Sequence, residues 1–152
     1  MSEPKLIQFS IPGKPIAQPR PRFSSFQGRA YNDPNHPVVA FKQAIALQYA
    51  VVAQGYKFEG AVELAICFNM VRIQNEVRQR VRMPGYFHTK KPDIDNLLKA
   101  VMDALTMADA WNDDSQVSRL IVKKQVEEGN QEPGTEIGLR AISFEFGDEC
   151  PI

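Results

Sequence analysis

Leu97, Leu98, Val101, Met102, Leu105 and Ala108 recur at helical spacing, and no other feature of the sequence constrains the fold as much. A helix that is apolar along one side must lie on another element. The partners flank it. Upstream, "AVELAICFNM" sets Val62, Leu64, Ile66, Phe68 and Met70 at alternate positions, the period of a strand. Downstream, "VSRLIVKKQVE" and "EIGLRAISFEF" read as two strands joined by the turn-forming "EGNQEPGT". Near the start, Ile7, Phe9 and Ile11 alternate with polar residues as a first strand. From Val38 onward Phe41, Ile45, Tyr49 and Val52 share one helix face, with Gly55 as the stop. The order β-α-β-α-β-β predicts one two-layer α+β domain over residues 1–152, a mixed sheet with both helices packed on one face.

Total charge says little about partners, because 18 basic and 18 acidic residues cancel. Their distribution says more. The loop "PGKPIAQPRPRFSSFQGRAYNDPNHP" carries Lys14, Arg20, Arg22 and Arg29 against Asp33 alone. The loop "VRIQNEVRQRVRMPGYFHTKK" carries Arg72, Arg78, Arg80, Arg82, Lys90 and Lys91 against Glu76 alone. Such segregation produces a positive surface beside an acidic pocket, or simply two solvated loops. Cys67 and Cys150 fit neither a disulfide framework nor a zinc site. With no long apolar run and no charged-then-apolar leader, a soluble cytoplasmic protein with no membrane role is expected.

The amphipathic helix has acids at both ends. Asp93 and Asp95 stand at its start, and Asp113 and Asp114 follow its end. Pro92 biases the chain toward extended backbone, in which alternate residues share a face and both carboxylates point one way. Inside a helix they would lie roughly 200° apart and could not share a ligand. Asp95 alone is explained as an N-cap, but that leaves Asp93 and the second pair without a role. Gathering three carboxylates raises their pKa values unless a cation is present, and Mg²⁺ prefers such hard oxygen ligands. A metal held this way activates water and stabilises charge on a phosphoryl oxygen. Lys99, four residues after Asp95, either neutralises phosphate charge or forms a surface ion pair; Asp103 extends the same polar face.

Other motifs fail on detail. A calcium-binding EF-hand needs glycine where Leu98 stands and glutamate where Ala104 stands. His36 and His88 are too isolated to form a zinc pair, and His88 suits a loop facing substrate or solvent. No glycine-rich phosphate loop is present.

The blocks "DIDNLLKA", "DAL" and "WNDDSQV" together resemble the RusA family of Holliday-junction endonucleases, in order and in spacing. "GKPIAQPRPR" is similar to the N-terminal basic loop of its phage and prophage members. The resemblance implies Asp93, Asp95 and Asp114 as catalytic metal ligands and Lys99 as the functional lysine, with Asp113 as a possible additional acid. It implies a Mg²⁺-dependent homodimer, with Mn²⁺ as a substitute, that makes paired cuts in four-way branched DNA during recombination and repair. Arg20, Arg22, Arg78, Arg80, Arg82, Lys90 and Lys91 are then the candidates for contacts to the DNA backbone. Phe23, Phe26, Tyr86 or Phe87 would stack on bases at the branch or pack their own loops. The rival expectations are a non-catalytic DNA-binding recombination protein and a metal-dependent nuclease for other branched or RNA substrates. Pro92 departs from the family pattern, in which a basic residue can precede the first aspartate.

Overall fold

The computed structural model describes residues 4–26, 28–31, 33–74, 77, 83–145 and 147. In chain order they form β1 (Leu6–Pro12), the short strands β2 (Arg22–Ser24) and β3 (Arg29–Tyr31), helix α1 (Pro37–Ala53), β4 (Val62–Asn69) and β5 (Tyr86–Phe87). Helix α2 (Ile94–Met107), a 3₁₀ turn (Asp114–Gln116), β6 (Val117–Val126) and β7 (Gly134–Ala141) follow. The main sheet runs β1-β7-β4-β6-β5, and β2 pairs with β3 as a separate hairpin. Only the β4–β6 pair is parallel, with α2 in the crossover between those strands, so the sheet is mixed.

Both helices lie on one face, as the apolar patterns require. Ile7, Phe9 and Ile11 of β1, Leu64, Ile66 and Phe68 of β4, and Ile137 and Leu139 of β7 form one core with Phe41, Ile45 and Tyr49 of α1 and Leu97, Val101 and Leu105 of α2. The other face is a shallow trough of about 550 Å³, lined by Ser10, Ala65, Cys67, Lys123, Glu136 and Gly138 among others. Burial pushes the Cys67 thiol up to about 11, so it stays protonated there.

Three expectations change in detail. Val52 points outward and Ala53 takes its place against the core, because the helix turns 100° per residue and ends there. The first basic loop contains the β2–β3 hairpin. The last strand stops at Ala141, so Phe144 stands outside the sheet and exposed. β4 is buried at nearly every position because strands flank it on both sides. Its Glu63 survives burial by accepting from Arg119 at 3.1 Å and Arg140 at 2.7 Å. Among the described residues no helix is long and apolar enough to cross a membrane.

Candidate active site

Asp93 sits at the N-cap of α2 in extended backbone (φ −72°, ψ 143°), and its side chain makes no capping bond. The extended alternative therefore applies to Asp93, while Asp95 lies within the first helical turn rather than at the cap. Both carboxylates are exposed and line one pocket of about 500 Å³ with Phe87, His88, Ile94, Val122, Lys123 and Lys124. An N-cap aspartate normally accepts from the exposed N–H groups of the first turn. That Asp93 does not leaves its oxygens available to something else in the pocket.

Lys124 of β6 fixes the approach to this pair. Its ammonium donates to the carbonyls of Lys90 at 2.7 Å and Pro92 at 2.6 Å, immediately before Asp93. The His88 amide donates to the Lys124 carbonyl at 3.0 Å, which ties the segment to the sheet from its other end. Burial lowers the pKa of the His88 imidazole and the Lys124 charge lowers it further, against a backbone hydrogen bond at Lys90 that raises it. The first basic loop also arrives here. Ile16 and Ala17 pack on the core and the Gln18 amide donates to the Asn96 carbonyl at 2.9 Å, so exposed Arg20 follows close to the first turn of α2.

The far end of α2 is built differently. Trp111 is buried and donates from Nε1 to the Thr106 hydroxyl. Asp113 accepts from the Ser115 amide at 2.8 Å, and the Gln116 side chain accepts from the Asn112 and Asp113 amides, completing a capping box. Gln116 also donates to the carbonyls of Phe58 and Gly60, pinning the turn to the approach of β4. Hydrogen bonds from Ser115 hold the Asp113 carboxyl below its ordinary value. Asp113 is a structural cap; Asp114, beside it, is exposed and lies in the first turn rather than at the cap.

The family profile described as "Endodeoxyribonuclease RusA" matches residues 12–140, most of the chain. This chain belongs to the RusA endodeoxyribonuclease family. Among curated proteins it is similar to the uncharacterized protein YqaN of Bacillus subtilis (strain 168), at 31% identity over 146 residues, covering 90% of this chain and 97% of that one. The nearly complete mutual coverage makes the resemblance one of whole chains, not of a shared motif.

Within this RusA-family chain the structure brings Asp93 and Asp95 together but not Asp114. Among the described residues no group of three or more His, Cys, Asp or Glu gathers as a metal site. Asp114 lies beyond the other end of α2, whose 14 residues span about 21 Å. Lys99 is exposed and forms no ion pair with Asp95 among the described residues, while Asp103 is committed to Lys42 of α1 at 3.0 Å. Lys90 and Lys91 are exposed beside the pocket, and Phe87 is 73% exposed on its rim. The backbone of Arg22 is in β2; Arg78, Arg80 and Arg82 lie outside the described residues. Arg72, counted with the basic loop, instead donates to the carbonyls of Pro84, Glu127 and Gly129 and lies over the Tyr86 ring.

Lys123 and Lys124 are the site residues that sequence reasoning missed. Their signal was the pair of lysines in the strand "VSRLIVKKQVE", where one of two neighbours must face the helix layer. The donor chemistry of the pocket fits Mg²⁺, which binds through one or two carboxylates and keeps several waters. Asp93 and Asp95 would hold it; Lys123 and Lys124 are also among the lining residues, the Lys124 ammonium donating to the carbonyls of Lys90 and Pro92.

Proposed function

We propose that this RusA-family chain is a Mg²⁺-dependent, structure-selective endonuclease that resolves Holliday junctions by paired, symmetric phosphodiester cleavage, working as a homodimer. The observation that carries the reading is the pocket itself. Two exposed carboxylates, neither used as a helix cap, share about 500 Å³ with Lys123 and Lys124. Carboxylates alone would repel DNA. The lysines, with Lys90, Lys91 and Arg20 nearby, offset that repulsion and bring a phosphate to the acids.

In this reading the divalent ion, when bound, lowers the pKa of water and stabilises charge on the phosphoryl oxygen. Asp93 and Asp95 orient their oxygens into the pocket, with Asp93 presented by the segment that Lys124 holds. Lys123 is among the residues lining the pocket, and is proposed to neutralise charge developing on the non-bridging oxygens from the edge of β6. Lys99, one turn along α2, is proposed to act in the same manner on the adjoining phosphate. Phe87 offers an exposed ring to an unpaired base at the branch.

The test is an end-labelled four-way junction incubated with and without Mg²⁺, with Mn²⁺ as the substitute. Wild type should give paired nicks on opposed strands, and Asp93→Asn should bind the junction without cutting it. Metal-dependent cutting of flaps or RNA in preference to junctions would replace the substrate assignment, and binding without cutting by the wild type would make this a DNA-binding protein.

A further inference from the structure

Phe87 belongs to two pockets of opposite chemistry. One is the aspartate pocket, whose lining includes Lys123 and Lys124. The other, of about 600 Å³, is formed by Gly85, Tyr86 and Phe87 of the β5 segment, Gln125 near the end of β6, and Glu127 and Gln131 of the turn toward β7, among others. Its described lining contains acids and amides but no lysine or arginine. A phosphate is repelled by such a surface. A DNA strand that sets a phosphate at Asp93 and Asp95 must therefore offer a different part of itself on the other side of Phe87.

Backbone contacts hold this second pocket in shape. Arg72 donates to the carbonyls of Pro84, Glu127 and Gly129, and its guanidinium lies 5.6 Å from the centre of the Tyr86 ring. The Gly129 amide donates to the Met83 carbonyl at 2.7 Å. Gly85 permits the close approach of the two segments, since a Cβ there would stand 3.1 Å from both the Val126 carbonyl oxygen and the Glu128 amide nitrogen. The pocket is thus preformed, which lowers the cost of ordering a ligand in it.

The groups on offer are an aromatic face and acceptors. Phe87 is 73% exposed, and its pairing with Gln125 across β5 and β6 sets ring and amide on the same face. The Gln125 nitrogen donates to Asn69 at 3.0 Å, so its carbonyl oxygen is the end left for a ligand. The Glu127 carboxylate accepts and cannot donate. An unpaired base with an exocyclic amino group satisfies both features, the ring by stacking and the amino group by donating. Thymine has no amino group, and it flanks its one ring N–H with two carbonyl oxygens that the acceptors repel.

We propose that this pocket takes one unpaired nucleobase beside the phosphate at the aspartates, stacked on Phe87, and that Glu127 selects bases carrying an exocyclic amino group over thymine. That the base belongs to the strand being cut rests on the nuclease reading; the choice of base does not.

Two measurements separate those statements. The first is binding, in EDTA, of single-stranded oligonucleotides made of cytosine, adenine or thymine alone. Wild type should bind the cytosine and adenine strands about tenfold more tightly than the thymine strand. Glu127→Met keeps the length of the side chain and removes both acceptor oxygens. Loss of a negative charge by itself strengthens binding of any DNA. Glu127→Met should instead weaken the cytosine and adenine strands and bring all three to within about twofold of one another. Phe87→Ala should weaken all three by about tenfold, whereas Phe144→Ala, which removes an equally exposed ring outside the sheet, should change none. Melting curves on the same variants identify any that fail to fold. Equal binding of the three strands by wild type, or a preference that survives Glu127→Met, would overturn the assignment. The second measurement is Mg²⁺-dependent cleavage of four-way junctions in which each base flanking the cut is varied in turn. Cutting by a wild type that binds the three strands equally would overturn the base pocket and leave the nuclease reading standing. Base-selective binding without any cutting would uphold the pocket and remove the nuclease reading.

Discussion

The two ends of α2 carry the same residue type in the same sequence pattern, an acidic residue at a helix start, and use it in opposite ways. Asp113 accepts from Ser115, sits in a capping box with Gln116 and has its carboxyl stabilised by those bonds. Asp93 occupies the equivalent N-cap position and makes no side-chain cap bond. Around Asp113 the neighbours are fixed by internal contacts: Trp111 to Thr106, Gln116 to Phe58 and Gly60. Around Asp93 the fixed contacts go to backbone, and Asp95, Lys123 and His88 are among the residues lining an open pocket instead. A capping residue that forgoes its cap costs its helix on the order of 1 kcal/mol. The difference separates a turn built for stability from a site built to receive something.

The largest effect expected from this contrast is on catalysis. Asp93→Asn keeps the size and the helix start but removes a charge proposed to hold the metal. Junction cleavage should fall by about a thousandfold or more, with DNA binding and thermal unfolding nearly unchanged. Single-turnover cleavage beside a melting curve checks both halves. A comparable loss of melting temperature would show that Asp93 is a cap after all, and the contrast between the two ends would collapse.

Most of this architecture was legible in the chain. Alternation over Val62–Met70 and the stripe from Leu97 to Leu105 are periodic patterns that located the strand and the helix; burial follows the period along α2, while β4, flanked on both sides, is buried at nearly every position. The extended bias next to Pro92 accounts for Asp93 alone; Asp95 is already helical, and the two line one pocket although the chain between them is not a strand. The location of Asp114 was not legible, because it depends on the β4–β6 crossover, and a strand running back along α2 begins at the far end of that helix. Lys124 escaped notice for a related reason. Its partners, the carbonyls of Lys90 and Pro92, are more than thirty residues away in the chain and meet it only through the sheet. Arg72 was misjudged as a loop cation because three carbonyl acceptors at Pro84, Glu127 and Gly129 leave no trace in side-chain composition.

The next effect in size sharpens the pocket side of the contrast. Lys124→Met retains the buried stem and removes both charge-assisted bonds, each worth about 1.5–3 kcal/mol. Cleavage should drop roughly tenfold to a hundredfold through lost positioning of Asp93. Lys124→Arg should recover part of it, since a guanidinium can still donate to a carbonyl. Equal loss in both variants, measured as kcat against KM, would point to a change in shape rather than in the donated bonds.

A pH experiment probes the stability side. Burial raises the Glu63 pKa, but the Arg119 and Arg140 bonds outweigh it and leave the group below its ordinary 4.5. A carboxyl with a depressed folded-state pKa contributes stability that is present above its unfolded value and lost as pH falls through the folded one. Wild type should therefore lose stability on acidification below about pH 4.5, and Glu63→Gln should flatten that part of the curve while being less stable by about 1–2 kcal/mol at neutral pH. Junction cleavage per folded molecule should stay the same, since Glu63 is not among the residues lining the pocket. A change in cleavage would link the two regions.

The smallest effect decides the most about the contrast itself. Asp113→Ala removes the Ser115 bond and half of the capping box, so a small drop in melting temperature is expected. Asp113→Ser should restore most of it, because a serine hydroxyl caps nearly as well as a carboxylate. Neither change removes a group assigned to the metal, and neither should reduce cleavage more than about twofold. Asp113→Asn is the informative third variant: it keeps the acceptor oxygen and loses only the charge. If it melts like wild type yet cuts slowly, then the charge of Asp113 acts on the reaction, and the turn joins the site it has been set against. If it melts and cuts like wild type, the two acids in "NDDS" divide the work, one holding the turn and its neighbour left exposed for the chemistry.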